Sequence, residues 1–197
     1  MDILLEYCAT ETIVKKSRFI AELFPIETQA EARDVLKNQK QKYADAAHVV
    51  HAFVCGLEGQ ISGMSDDGEP SGTAGRPAYD VLKGRNLTNL ILTITRYFGG
   101  TLLGTGGLVK AYGDAAREVL DKAKTERYIP KIRFCFKAPY EVYEGIKRSI
   151  AHFPLTNAKE EFLERVGFQA EIPLEHKDSL SAIIKDVSKA MVTVEFL

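Results

Sequence analysis

The sequence predicts an α+β protein of two domains, and three observations predict it. The chain has 197 residues, 45% of them hydrophobic and 27% charged, which suits one large soluble domain or two small ones. Glycine is unevenly placed: residues 63 to 107 hold ten of the fifteen, whereas only Gly145 and Gly167 lie beyond Tyr128. After Arg127-Tyr128-Ile129-Pro130 the pattern changes to strand 131–138, helix 141–153, strands 158–166 and 168–174, helix 177–189 and strand 191–196. That βαββαβ order is the ferredoxin-like split-βαβ arrangement. The expected domains are therefore 1–128 and 129–197.

In chain order, residues 3–14 and 18–25 alternate as two strands around a basic turn, Lys15-Lys16-Ser17, which reads as a solvated hairpin tip or a functional loop. Thr28 and Glu31 form a capping box for a helix that turns Ala32, Val35, Leu36 and Tyr43 inward and Lys37, Lys40 and Lys42 outward. Residues 46–55 form a strand, followed by a short strand at 60–64. His48 and His51 lie three apart on it, so a period of two sends them to opposite faces and makes them poor joint metal ligands. His51 reads as a strand histidine satisfied by a neighbour, and for His48 that reading and a functional one stay open. A short helix at 76–83 and a strongly apolar strand at 87–98 follow. On that strand Leu90, Leu92 and Ile94 share a face with Arg96. The next helix, 108–124, buries Leu108, Ala111, Tyr112, Ala115 and Val119.

Two glycine-rich loops flank the apolar strand. The first, Ser65 to Arg76, carries Asp66, Asp67, Glu69, Ser71 and Arg76; the second places Arg96 and Tyr97 before Gly99, Gly100, Gly104, Gly106 and Gly107. A strand, a glycine turn and a helix start present amide donors to an anion. The letters match no nucleotide motif. Gly99 and Gly104 have phosphate-loop spacing, but Thr105-Gly106 stand where Lys-Ser/Thr is required, and Val109 replaces the third glycine of a dinucleotide fingerprint. The alternative is close packing of a tight connection. The carboxylates read equally as magnesium ligands or as turn and cap residues.

Composition excludes several classes. Formal net charge is −1, with 16 cations against 17 carboxylates in residues 1–127 and ten of each in 128–197, so bulk duplex DNA binding is not expected. Cys8, Cys55 and Cys135 are odd in number and widely spaced, as reduced thiols of a cytoplasmic protein are. The start MDILLEYCATET is no signal peptide, and no apolar run approaches the ~18–20 residues of a membrane helix.

The blocks DDGEPSGTAGRP (66–77) and TRYFGGTLLGTGGLVKAY (95–112), with KKSRFIA (15–21) and AAHVVHAFV (46–54) before them, closely resemble the YigZ/IMPACT family. The resemblance covers residues 1 to about 125, and the tail resembles the small C-terminal domain of bacterial YigZ-type members. It implies an N-terminal domain like the second domain of ribosomal protein S5 and a C-terminal domain like the last domains of elongation factor G. It also implies a part in translation, since eukaryotic members are understood to bind the activator of the amino-acid-starvation kinase. Bacterial members have no settled biochemical role. Carried over by motif, the family positions are Ser17, Arg18, His48, Asp66, Asp67, Glu69, Pro70, Ser71, Arg96, Tyr97, Gly99, Gly100, Gly104 and Gly107.

Three readings follow. In the first, a non-catalytic protein with no cofactor docks on RNA, the ribosome or a translation-regulatory protein through the 66–107 surface. Arg96 and the amides near Gly106 would meet an anion, Tyr97 would stack on a base, and the acidic loop would orient Arg76 or Arg96. Arg96→Ala should then lose affinity with the fold intact. In the second, the chain is a metal-assisted phosphoester hydrolase with His48 as base, Asp66, Asp67 and Glu69 holding the ion, and Arg96 on the phosphate. In the third, the acidic loop and Arg96 are an internal network that pins the two loops.

Overall fold

The computed structural model describes residues 1–197, and the chain divides into two compact units, Met1–Tyr128 and Ile129–Leu197. In the first, the elements run β1 Asp2–Leu4, β2 Cys8–Val14, β3 Ser17–Pro25, α1 Gln29–Lys42, β4 His48–Cys55, β5 Ile61–Ser65, α2 Gly75–Gly84, β6 Leu87–Thr88, β7 Leu90–Tyr97, α3 Thr105–Lys122 and β8 Thr125–Arg127. The main sheet has the order β2-β3-β7-β4-β5, and every pairing in it is antiparallel. The strand expected over 3–14 is two strands. Asp2–Leu4 join a separate sheet of order β6-β1-β8. The strand expected over 87–98 is likewise interrupted, because Asn89 takes a φ of 59° and spends its carbonyl on Ile26 and its Oδ1 on the Gly56 amide.

Alternation sorts the main sheet into two faces. Phe19, Ala21, Leu23, Val50, Ala52, Leu90, Leu92 and Ile94 bury against α2 and α3, where they meet Ala78, Leu82, Leu108, Tyr112 and Val119. Helix α3 starts without a side-chain cap and with Gly106 and Gly107, each costing up to about 1 kcal/mol against alanine. Burying Leu108, Val119 and Leu120 contributes about 1.5–3 kcal/mol apiece, so packing rather than propensity makes this helix. The opposite face receives α1, whose Ala32, Val35 and Leu36 pack on Phe53, Cys55 and Ile91.

Helix α1 departs from its expected pattern. Thr28 caps the Glu31 amide as predicted, but Glu31 reaches back one residue further, to the Glu27 N–H at 2.8 Å. Its C-terminal half buries Gln39 rather than an apolar residue, because the sheet beneath holds a fully buried carboxylate, Glu22. Tyr7 Oη, Gln39 Nε2 and Lys42 Nζ all donate to Glu22, at 2.7, 2.9 and 2.8 Å. A buried carboxylate needs such donors. Lys42 therefore reaches inward and Lys40 reaches Asp67, so the lysine face is not merely solvated.

The second unit runs β9 Lys131–Ala138, α4 Tyr140–Ile150, β10 Thr156–Phe162, β11 Val166–Pro173, a 3₁₀ turn Leu174–His176, α5 Lys177–Val187 and β12 Glu195–Phe196. Its sheet order, β10-β11-β9-β12, is that of the split βαβ fold, and Phe134, Phe136, Phe168, Ile146, Ile150, Leu180 and Ile184 form the core. The last strand is shorter than expected, two residues in place of six. No helix is long and apolar enough to cross a membrane.

Candidate functional site

Arg96 sits near the C-terminal end of β7, on the helix-packed face, in register with Phe19 on one side and His48 on the other. It is 6% exposed. Its Nη1 donates to Glu69 Oε1 at 2.6 Å and its Nη2 to Ser17 Oγ at 3.4 Å. Glu69 is buried as well, and Tyr112 Oη from α3 donates to the same Oε1 at 2.8 Å. Burial, then the charge of Glu69, drives the Tyr112 pKa far upward, which keeps the phenol protonated as a donor. His48 adds a fifth group: its Nδ1 lies 2.8 Å from the Asp67 carbonyl oxygen, and its Nε2 lies 3.8 Å from Glu69 Oε1. A carbonyl accepts, so Nδ1 carries the proton.

The three carboxylates of the first loop do not converge. Asp66 caps α2 from outside it, accepting from Ala74 and Gly75 through Oδ1 at 3.0 and 2.8 Å and from Gly72 through Oδ2 at 2.9 Å. Asp67 accepts from the Val49 amide at 2.7 Å and pairs with Lys40. Glu69 turns inward to Arg96 and Tyr112. No group of three or more His, Cys, Asp or Glu side chains is placed to hold a metal ion. The arrangement is that of the third reading, a network inside the protein that joins β7, α3 and both loops.

Asp66 makes this testable by pH. Burial alone raises its pKa, but the amides of Gly72, Gly75 and Ala74 together outweigh it and hold the carboxyl below its ordinary value of about 4. A depressed carboxylate contributes stability that is present above the unfolded value and lost as pH falls through the folded one. Asp66→Asn should lower stability at neutral pH by about 0.5–2 kcal/mol, as lost caps do, and should flatten the acid side of the stability curve below about pH 4. Urea midpoints of both proteins from pH 7 to pH 3 measure it; parallel curves would mean that Asp66 is not ionised on these amides.

The remaining expected site residues divide. Tyr97 and Arg18 lie on the opposite face of the sheet from Arg96, since each is one residue away along its strand. The Arg18 guanidinium covers the Tyr97 ring at 4.8 Å and Tyr97 Oη donates to Asp45 at 2.9 Å, so Tyr97 is not an open stacking platform beside Arg96. Arg76 also leaves the proposed cluster, its Nε bound to Asp80 at 2.8 and 2.9 Å on its own helix. His51 lies away from His48 as expected, but its Nδ1 is buried without a partner rather than satisfied by a neighbour, and burial, with Lys40 nearby, lowers its pKa. Ser71 is exposed in the first loop.

The glycine loop is held in place and open to solvent. Gly99 packs so tightly against the Lys16–Ser17 backbone that a Cβ there would overlap the Lys16 carbonyl, and its amide donates to Ser17 Oγ at 3.2 Å. Gly100 and Gly104 take φ of 80° and 75°, which favours glycine, and no atom lies within 4 Å of a Cβ built on Gly100, Gly104 or Gly106. Phe98 is 51% and Leu102 82% exposed. Sequence reasoning did not place Tyr112 or Ser17 in this cluster. Tyr112 already lay on the core face of its helix, and no spacing rule joins it to Glu69, 43 residues away.

Comparisons with known proteins agree on the lineage. The Impact N-terminal domain matches residues 15–120. The chain is 33% identical to the IMPACT family member YigZ of Escherichia coli over 178 residues, 89% of this chain and 87% of that one. It is 44% identical to the IMPACT family member YvyE of Bacillus subtilis over 111 residues, 56% of this chain and 51% of the other, about half of that relative's length. A crystal structure of a hypothetical protein superposes with a TM-score of 0.73 at 30% identity, covering 98% of this chain and 95% of that one. With the family domain spanning more than half of its length and a bacterial member aligned along most of it, the chain belongs to the IMPACT family.

Proposed function

We propose that this is a non-catalytic, cytoplasmic, translation-associated regulatory protein, which docks on the translation apparatus through the end of the main sheet where the Lys15–Lys16 turn meets loop 98–107. Family membership supports a regulatory role in translation. One observation carries the choice of surface: a loop pinned from beneath by the buried Arg96–Glu69–Ser17 contacts holds Leu102 82% exposed at its tip. Ordering a loop costs about 1–2 kcal/mol per residue, and a well-anchored loop that presents apolar side chains is suited to rigid docking. Arg96 and Glu69 then act by positioning the loop, and the amides at Gly106 and Gly107 remain free to donate. The hydrolase alternative is not supported, because its three metal ligands are each spent on amides or on internal partners.

Cosedimentation with ribosomes and separated subunits tests this reading. The wild-type chain should pellet with one of them at near-physiological salt, and Leu102→Asp should abolish the association while leaving the thermal transition unchanged, because Leu102 packs against nothing it must keep. Absence of association, or equal association of both proteins, would remove the docking surface.

A further inference from the structure

Residues 13–19 and 98–110 contain no aspartate or glutamate, and the fold brings these two acid-free stretches together. The turn at Lys15–Lys16 ends the β2–β3 hairpin at the same end of the sheet where β7 runs out into the glycine loop, because Arg18 is in register with Tyr97. The Gly99 contact then locks turn to loop. Lys15, Lys16 and Lys110 are exposed, and none has a carboxylate within ion-pair distance. On the loop and the start of α3, Leu102, Phe98 and Val109 are exposed; Ile13, 69% exposed, is in register with Arg18 and lies on the other face of the sheet. Both turn lysines take φ in the left-handed region, 45° and 67°, which costs non-glycine residues about 1–2 kcal/mol each. Asn-Gly would make the same type I′ turn with less strain. The chain thus keeps two cations where turn chemistry favours other residues.

Resting on the docking surface proposed above, we infer that its partner is an acidic polypeptide segment carrying apolar side chains, with glutamates or aspartates for Lys15, Lys16 and Lys110 and aliphatic anchors for Leu102 and Val109. The cations exclude a basic partner by like-charge repulsion. The aliphatic groups decide against a nucleic acid strand. Single-stranded RNA is bound by phosphate contacts together with aromatic rings on which bases stack. Here Phe98 is the one exposed ring in the two stretches, whereas Leu102 and Val109 offer nothing to a phosphate or a base. Apolar side chains of a polypeptide bury them, and salt-sensitive steering by the lysines speeds the encounter.

The test uses the purified full chain and no ribosome. Three probes are titrated into the isotope-labelled protein and followed by amide chemical shifts: a synthetic peptide with glutamates and leucines at helical spacing, poly-glutamate, and a single-stranded RNA oligonucleotide of mixed sequence. The glutamate–leucine peptide should shift amides within 13–18 and 98–110 and should bind about tenfold more tightly than either of the others. Lys15→Gln with Lys16→Gln should weaken it at least as much and lessen its salt dependence, and Leu102→Ser should weaken it with the salt dependence retained. RNA binding tighter than the peptide at these residues, or peptide shifts scattered elsewhere, would overturn the inference. A failed cosedimentation leaves this result standing, so the partner's chemistry and the translation reading can fail separately.

Discussion

Arg96→Ala is expected to destabilise the first unit by about 3–5 kcal/mol, a large share of the 5–15 kcal/mol that holds a typical domain together. Arg96 is 6% exposed, and removal of its guanidinium would leave Glu69, also buried, with one neutral donor, Tyr112 Oη, and with His48 at 3.8 Å. Truncating one partner of a buried ion pair costs the desolvation of the charge left behind, which exceeds the net worth of the pair itself. Sequence logic alone expected the same substitution to spare the fold and to remove only anion affinity. Glu69→Gln is the informative companion. It keeps the shape, removes the charge and still accepts from Tyr112, so it should cost clearly less than Arg96→Ala. The double variant Arg96→Met with Glu69→Leu should recover part of the loss, since a buried pair replaced as a unit by apolar groups is often tolerated. Denaturant midpoints for the four proteins decide it. An Arg96→Ala protein as stable as wild type would show that the pair is solvated and free to meet a ligand.

Gly99→Ala should be the second severe change, and for a different reason. Gly99 has no positive φ, so alanine meets no backbone strain there. The obstacle is contact with the Lys16 carbonyl and the Ser17 nitrogen, neither of which is the flexible end of a side chain. Hairpin and loop must separate, breaking the Ser17 Oγ hydrogen bonds to Gly99 and Arg96. A cost at or above the ~3 kcal/mol top of the usual overpacking range is expected, together with loss of ribosome association beyond what stability explains. Gly106→Ala is the control. No atom lies within 4 Å of a Cβ placed there, and its position inside α3 favours alanine. That variant should be as stable as wild type or slightly more so. Equal stabilities for the two variants would mean that the loop does not rest on the hairpin.

Much of the architecture was legible because local rules determine it. Alternation placed Phe19, Ala21 and Leu23 on the core face, helical spacing placed Leu108, Ala111, Tyr112, Ala115 and Val119, and the βαββαβ order of the second unit followed from element sequence alone. Helix α1 was legible at its N-terminus, where Thr28 caps a neighbour three residues on, and misread at its C-terminus, where Gln39 and Lys42 answer to Glu22 on another element.

The candidate site divides along the same line. The chain by itself determined which residues are chemically distinctive: the carboxylates of 66–69, Arg96 and the glycines of 99–107. Their partners were decided by tertiary structure, because Glu69 meets Arg96 and Tyr112 across 27 and 43 residues, separations over which no backbone period operates. The one-residue step from Arg96 to Tyr97 was readable in principle, since a strand sends successive side chains to opposite faces. What alternation could not supply is which face is dry. Packing of α3 over one side buried Arg96 and forced its charge onto Glu69, and the locked contact of Gly99 with Lys16 left the loop's apolar tip as the part of the motif turned to solvent.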